Sequence, residues 1–296
     1  MTVSGRFNLV QIDLSDRKAT PWLTAYAGYS TANRAPTPAE LSCAGPADSC
    51  SLANFFVGDP NLKQVVADTV EAGARGSFTP FPGGVFRYSL ALFRTNVDDD
   101  IALVNSVSRG RAYFANIGQT QRQGIDAGMQ LKTDRWLAYL AYAFIDASFQ
   151  SRFVEAAGNN PAADSNGNIT VRPGDRLPGV PANQLKLGAY YVVTDKWTVG
   201  ATGIATSGTY LFGGEANLTP RLPSYFTLNL STTYQLTERI QVFAWAQNIT
   251  NRTYYTYGTF SPTSSVFLAQ APNATDPRSY SPAAPIGGFG GVRVRF

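Results

Sequence analysis

The sequence predicts an all-β chain: an antiparallel, up-and-down transmembrane β-barrel portion of about 11 strands, either an open half-barrel or a narrowed closed barrel. Three observations carry that prediction. Apolar and polar residues alternate with period two over stretches of roughly ten residues, the length of a tilted membrane-crossing strand. Tight turns alternate strictly with long polar connections, as short periplasmic turns and long extracellular loops do in outer-membrane barrels. An aromatic residue recurs on the apolar register beside the tight turns.

Taken in chain order, the opening "MTVSGRFNLVQIDL" lacks the charged-then-apolar layout of a signal peptide and reads as a strand already under way. The Pro-Gly stretch "TPFPGG" at 79–84 supplies a first tight turn. In "GIDAGMQLK", Ile125, Ala127, Met129 and Leu131 oppose Asp126, Gln130 and Lys132. In "WTVGATGIAT", Trp197, Val199, Ala201 and Ala205 oppose Thr198, Thr202 and Thr206. In "YFTLNLSTTY", Phe226, Leu228, Leu230 and Tyr234 oppose Thr227, Asn229, Ser231 and Thr233. Three turns share one recipe: "KTDRW" at 132–136, "VTDKW" at 193–197 and "LTERI" at 236–240. Long polar segments intervene at 32–64, 98–118, 149–183, 210–222 and 249–286. Trp22, Phe78, Phe86, Trp136, Trp197, Tyr234 and Phe296 then form a girdle at one level, where a membrane–water boundary suits aromatic rings. The chain ends inside a strand pattern, with Val292, Val294 and Phe296 alternating with Arg293 and Arg295.

Composition removes other classes. With 15% charged and 12% aromatic residues, the 296-residue chain is too aromatic and too weakly charged for disorder. No apolar stretch is long enough for a membrane-spanning helix. The net charge of +4 comes from Lys and Arg that occur singly, so no nucleic-acid partner is expected. Histidine is absent, which rules out Ser-His-Asp and Cys-His chemistry and a His-ligated metal; neither an enzyme nor a cofactor is expected. The two cysteines, Cys43 and Cys50 in "LSCAGPADSCSL", bracket six residues that include a Gly-Pro step. They are either a disulfide closing a short loop in an oxidising compartment or two free thiols; compartment logic favours the disulfide.

The segments "YAGYSTANRAPTPAEL", "GDPNLKQVVADTVEAGARG", "ALFRTNVDDDI", "FANIGQTQRQGIDAG", "RLPGVPANQLKLG" and "QVFAWAQNITNRTYYTYGTF" occur in that order. Together they resemble the C-terminal half of the barrel of TonB-dependent outer-membrane receptors, over nearly the whole chain. The resemblance implies the outer membrane of a Gram-negative bacterium, with outer-membrane lipid around the barrel. It implies that Val292, Val294 and Phe296 face outward and are read by the barrel-assembly machinery. Such receptors are roughly twice this length, with 22 strands, a signal peptide, a TonB box and a plug, none of which is expected within residues 1–296. Contact with the TonB complex is therefore expected only through an N-terminal part. The wording is also shortened near "DLSDRKATPWL", where a further hairpin is expected.

The implied function is the barrel wall and ligand-binding loops of an active-transport receptor for a large nutrient, a ferric siderophore or similar chelate. The alternatives are a truncated, non-transporting barrel fragment and a small porin-like passive barrel. Ligand-loop candidates are Arg109, Arg111, Tyr113, Tyr210, Phe212, Tyr254 and Tyr255, with Phe55, Phe56 and Tyr257 beside them. Aromatic and guanidinium groups suit anionic, ring-rich chelates, although loop packing explains each residue equally well. "DSNGNITVRPGD" sets Asp164, Asn166, Asn168 and Asp175 at calcium-loop spacing, but Ile169 stands where that motif needs Gly, so a plain polar loop is favoured. The run Asp98, Asp99 and Asp100 is expected to solvate the rim, and "GGFGG" at 287–291 to give flexibility and little side-chain bulk at the mouth of the last strand.

Overall fold

The structure, a computed structural model, describes residues 10–20, 22–43, 62–106, 111–261, 269 and 272–296, with residues 10–20 and Ser42 given by their backbone alone. Strands β1 (Val10–Thr20) and β2 (Leu23–Arg34) precede a short helix α1 (Pro38–Ser42). Strands β3 (Val65–Phe78) and β4 (Val85–Asp98) are followed by a small hairpin, β5 (Ile101–Asn105) and β6 (Ala112–Asn116). Strands β7 (Thr120–Lys132) and β8 (Trp136–Phe149) lead to a second hairpin, β9 (Phe153–Ala156) and β10 (Asn168–Val171). Next come β11 (Asn183–Thr194), β12 (Trp197–Thr206), β13 (Tyr225–Gln235) and β14 (Ile240–Gln247). A third hairpin, β15 (Tyr255–Phe260) and β16 (Arg278–Pro282), precedes the last strand, β17 (Gly287–Val294).

Eleven strands make one antiparallel sheet in the order β1-β2-β3-β4-β7-β8-β11-β12-β13-β14-β17. Each pairs with the spanning strands before and after it, so the predicted meander and strand number hold. The sheet is open, with β1 and β17 as its edges. β1 pairs directly with β2, leaving no hairpin between them. Every tight turn lies on one rim and every long connection on the other. The shared turn recipe has a physical cause: the leading Thr caps the turn. Thr133 Oγ1 accepts from the N–H groups of Arg135 and Trp136, Thr194 Oγ1 from Lys196, and Thr237 Oγ1 from Arg239 and Ile240.

Following paired residues across the sheet separates its faces. One row runs Phe78, Phe86, Leu131, Ala138, Ala189, Ala201, Leu230, Ala246, Gly288. The opposite face carries Ser77, Arg87, Gln130, Tyr139, Gly188, Thr202 and Asn229. The first face suits lipid and the second a wet interior. The first row starts at the short-turn end of β3 and finishes near the long-loop end of β17. That stagger is what tilted strands of a barrel wall require.

On the polar face, five directly opposed pairs place an aromatic ring over a glycine: Tyr26 on Gly73, Phe93 on Gly124, Tyr139 on Gly188, Tyr190 on Gly200 and Phe243 on Gly291. A Cβ at Gly73, Gly188, Gly200 or Gly291 would run into the ring, and one at Gly124 would meet the Phe144 carbonyl before the Phe93 ring. The ring covers backbone that the glycine leaves bare, and the sheet can curve there. The small bulk read from "GGFGG" is used: these glycines open β17, paired along its length with β14, and Gly291 makes room for Phe243.

The aspartate run departs from expectation. Asp98 accepts from Gln119 Nε2 at 2.6 Å, Asp99 pairs with Lys63 at 3.3 Å, and Asp100 accepts from Thr120 at 2.6 Å and Arg122 at 3.1 Å. With Asp99 at φ 50°, the three residues fasten the bend where β4 gives way to β5. The long connections hold α1 and three hairpins that their polar composition did not announce. For α1 a signal existed: Thr37-Pro38-Ala39-Glu40 is a capping box, and Glu40 also takes two hydrogen bonds from Arg34, at 2.8 and 2.9 Å.

Candidate functional site

The long-loop rim is where apolar side chains are buried. Val104, Ile117, Phe149 and Val171 form one cluster at the roots of the β5–β6 and β9–β10 hairpins, with Tyr113, Phe153 and Leu177 packed against it. Ala157, Ile169 and Ala216 form a second, which joins the β9–β10 hairpin to the 207–224 connection. Leu211 and Leu222 of that connection are buried and meet Gly258 of β15. Four loops converge at Gly213, which has φ +82°. Asn160 Nδ2 donates to its carbonyl at 2.7 Å, and Phe260 and Asn105 are its nearest neighbours on the side a Cβ would occupy.

Aromatic side chains crowd this rim in pairs. Phe212 stacks on Tyr257 with centroids 5.2 Å apart and planes at 21°, and both rings are exposed, at 41% and 45%. Tyr225 meets Tyr254 at 4.4 Å, and Tyr255 meets Tyr280 at 5.0 Å. The Arg221 guanidinium lies 5.6 Å from the Tyr210 ring centroid. A recess of about 160 Å³ beside these pairs is lined by Gln184, Thr209, Leu222, Tyr225, Tyr255 and Thr256. Exposed ring faces beside a cation and hydroxyls can hold a flat anionic ligand by stacking and charge.

Tyr210, Phe212, Tyr254, Tyr255 and Tyr257 are thus brought onto one rim by the 207–224 connection, the 248–254 segment and β15. Tyr113 sits apart on β6 as packing, and Arg111 begins that strand's side of the hairpin, its carbonyl accepting from Ser106 N–H at 3.0 Å. Arg109, Phe55 and Phe56 lie outside the described residues. The sequence reading missed Arg221, Tyr225 and Tyr280: Tyr225 was absorbed by the strand pattern, and Arg221 and Tyr280 acquire partners only when distant loops meet.

The calcium-spaced residues do not converge. Asp164 Oδ1 accepts from the N–H groups of Asn166 and Asn168 at 2.8 and 2.9 Å, while Asp175 Oδ2 accepts from Arg172 N–H at 2.8 Å. Each carboxylate closes its own turn, and Ile169 between them is buried in the loop cluster. Among the described residues no three His, Cys, Asp or Glu side chains gather as metal ligands. Cys43 is buried and disulfide-bonded, while Cys50 lies outside the described residues. Val292 and Val294 share a face with Val242 and Ile240, on the apolar side of the sheet, and Phe296 follows exposed.

Three carboxyls of this rim are shifted from their ordinary values. Burial pushes Glu40 up, but the hydrogen bonds from Arg34 and the Thr37 N–H outweigh it and hold its pKa below the ordinary value. The Arg278 side chain holds Asp276 down at about 2. Burial, followed by contact with Glu215, pushes Glu155 up to about 10.

Sheet order, rim asymmetry and face chemistry together describe the antiparallel wall of a membrane β-barrel. A family model described as "TonB dependent receptor-like, beta-barrel" matches residues 2–249. The chain belongs to that family. Members of the TonB-dependent receptor family are outer-membrane β-barrels of Gram-negative bacteria, and they are transport receptors rather than enzymes. Over 232 residues the chain is 22% identical to the TonB-dependent siderophore receptor PiuA of Acinetobacter baumannii, covering 78% of this chain and 28% of PiuA. The crystal structure of PiuA superimposes with a TM-score of 0.65 at 18% identity, covering 96% of this chain and 35% of that one. The ferric yersiniabactin uptake receptor FyuA of Yersinia pestis gives a TM-score of 0.62 at 17% identity, with 97% and 37% covered. The copper transporter OprC gives 0.62 at 14% identity, with 97% and 38% covered. At these identities the superpositions speak for fold. The chain spans about a third of the length of the relatives it matches.

Proposed function

We propose that these residues form part of the barrel wall and the extracellular ligand-capturing rim of an outer-membrane receptor that imports a large nutrient, a ferric siderophore. The observation that carries this reading is the gathering of Tyr210, Phe212, Tyr225, Tyr254, Tyr255 and Tyr257 with Arg221 at the long-loop rim, directly above a polar inner face. Names such as PiuA and FyuA support a ferric chelate; OprC shows that the same fold is found on a copper transporter.

In this reading the short turns face the periplasm, Val292, Val294 and Phe296 serve barrel assembly, and Cys43 and Cys50 close a small extracellular ring. The wall is passive, and contact with the TonB complex runs through an N-terminal plug segment. The open edges support a wall completed by further strands: β17 alone spans eight residues, and each unpaired backbone group in lipid costs several kcal/mol, on the order of tens in all. The test is uptake of ferric chelates by cells lacking the matching receptor, expressing residues 1–296 with or without a separately expressed N-terminal half. Energy-dependent uptake only with both pieces is expected. Uptake by residues 1–296 alone would refute the division of labour, and passive leakage alone would identify a porin-like barrel.

A further inference from the structure

We propose that Glu155 and Glu215, with the Thr219 hydroxyl, form a binding site for a divalent cation of the hard, oxygen-seeking class, Ca²⁺ or Mg²⁺, which fastens the β9–β10 hairpin to the 207–224 connection. The site goes beyond the transport reading and stands whether or not that reading holds.

Glu155 lies on β9 directly opposite Ile169 of β10, and both point into the loop cluster, at 4% and 2% exposure. Glu215 reaches Glu155 from the other loop; its Oε1 accepts from Gly213 N–H at 3.0 Å, which fixes the carboxylate in place. Three buried oxygens are then left without a hydrogen-bond partner: Glu155 Oε1, Glu215 Oε2 and Thr219 Oγ1. The Thr219 hydroxyl is itself in a buried residue and lies 3.2 Å from where a Cβ of Gly214, the residue before Glu215, would stand. Buried polar atoms are normally satisfied, so these orphans on two loops that pack together call for a partner.

The basic side chains in the described ion pairs do not supply it: Arg34, Lys63, Arg122, Arg176 and Arg278 pair with Glu40, Asp99, Asp100, Asp146 and Asp276. One shared proton would join the two carboxyls, yet it would leave a negative charge buried and Thr219 unengaged. A divalent cation neutralises both carboxylates and gives all three oxygens a partner, with remaining positions open to backbone carbonyls and water. The oxygens come from two loops, so the cation would act as a clasp. The loop it holds carries Tyr210 and Phe212.

The test is calorimetric titration of the 296-residue chain in detergent micelles, stripped with EDTA, with CaCl₂ and with MgCl₂. Saturable one-site binding is expected with at least one cation, weakened tenfold or more in Glu155→Gln and in Glu215→Gln and unchanged in Asp164→Asn. The same cation should slow tryptic cleavage after the exposed Arg152, at the foot of β9, in the unaltered chain but not in the glutamine variants. Circular dichroism checks that each variant keeps its β-structure; where a glutamine variant does not fold, Thr219→Val removes one ligand without altering charge and should also weaken binding. Absence of saturable binding, or binding indifferent to all three substitutions, would overturn the proposal. Stable glutamine variants in a chain that binds neither cation would identify a shared proton instead.

Discussion

Leu230 and Leu211 are the same residue under opposite rules. Leu230 stands mid-strand on β13 with 43% of its surface exposed, on the face that carries Leu228, Phe226 and their partners. Leu211 lies in the 207–224 connection with none of its surface exposed. In the sheet, a backbone ladder holds the structure and apolar side chains turn outward, because lipid makes outward apolar surface favourable and unpaired backbone costly. In the rim, water surrounds the loops, so apolar side chains turn inward. There Asn217, Asn160 and Asn248 stitch segments together: Asn217 bonds both the N–H and the carbonyl of Arg176, at 2.6 and 3.0 Å. One chain therefore folds by two solvent logics, and the boundary between them places the aromatic rim.

Substitutions can break that comparison. The largest effect is expected for Leu211→Ala, about 2–5 kcal/mol for a fully buried leucine. It should appear as faster proteolysis of the loops while the sheet's heat-modifiable migration in gels is retained; loss of both together would show one cooperative unit. Leu230→Arg should cost about 2–4 kcal/mol if the residue faces the bilayer midplane. Thr202→Arg, on the polar face, should cost little, and equal costs in urea unfolding from lipid vesicles would contradict the facial assignment.

Gly188→Val sharpens the account of the inner face. Its new side chain would collide with the Tyr139 ring, for a cost of about 1–3 kcal/mol. Gly188→Val combined with Tyr139→Ala should recover part of that cost in the same unfolding assay.

The smallest effect concerns the α1 cap. Because the folded pKa of Glu40 is depressed, its contribution is present above the ordinary glutamate value and is lost as pH falls through the depressed one. Thr37→Ala should cost about 1 kcal/mol at neutral pH. The protection of the Glu40 and Leu41 amides against hydrogen exchange, measured relative to the intrinsic rate at each pH, should fall on acidification, and unchanged protection would remove the cap as the helix's anchor.

Much of the sheet was legible because period-two alternation is a local property. Leu228 and Asn229 carry their faces in their order, and Thr133, Thr194 and Thr237 cap turns within three residues of themselves. The rim was legible only as a set of aromatic candidates. Arg221 on Tyr210 and Tyr225 on Tyr254 pair across 11 and 29 positions of sequence, so no window shows them. The glycine–ring pairs were hidden for the same reason: Gly188 reads as a weak strand residue until Tyr139 of the neighbouring strand covers it.

The sequence by itself determined the alternating faces of strands such as β7, β12 and β13 and where the tight turns fall, because a strand's alternation and a turn's capping hydroxyl act over a few residues. Only the tertiary structure decided the stagger of the wall, the hairpins folded into the long connections and the meeting of Glu155 with Glu215. These depend on contacts between segments up to dozens of residues apart, where burial and charge, rather than local pattern, set the outcome.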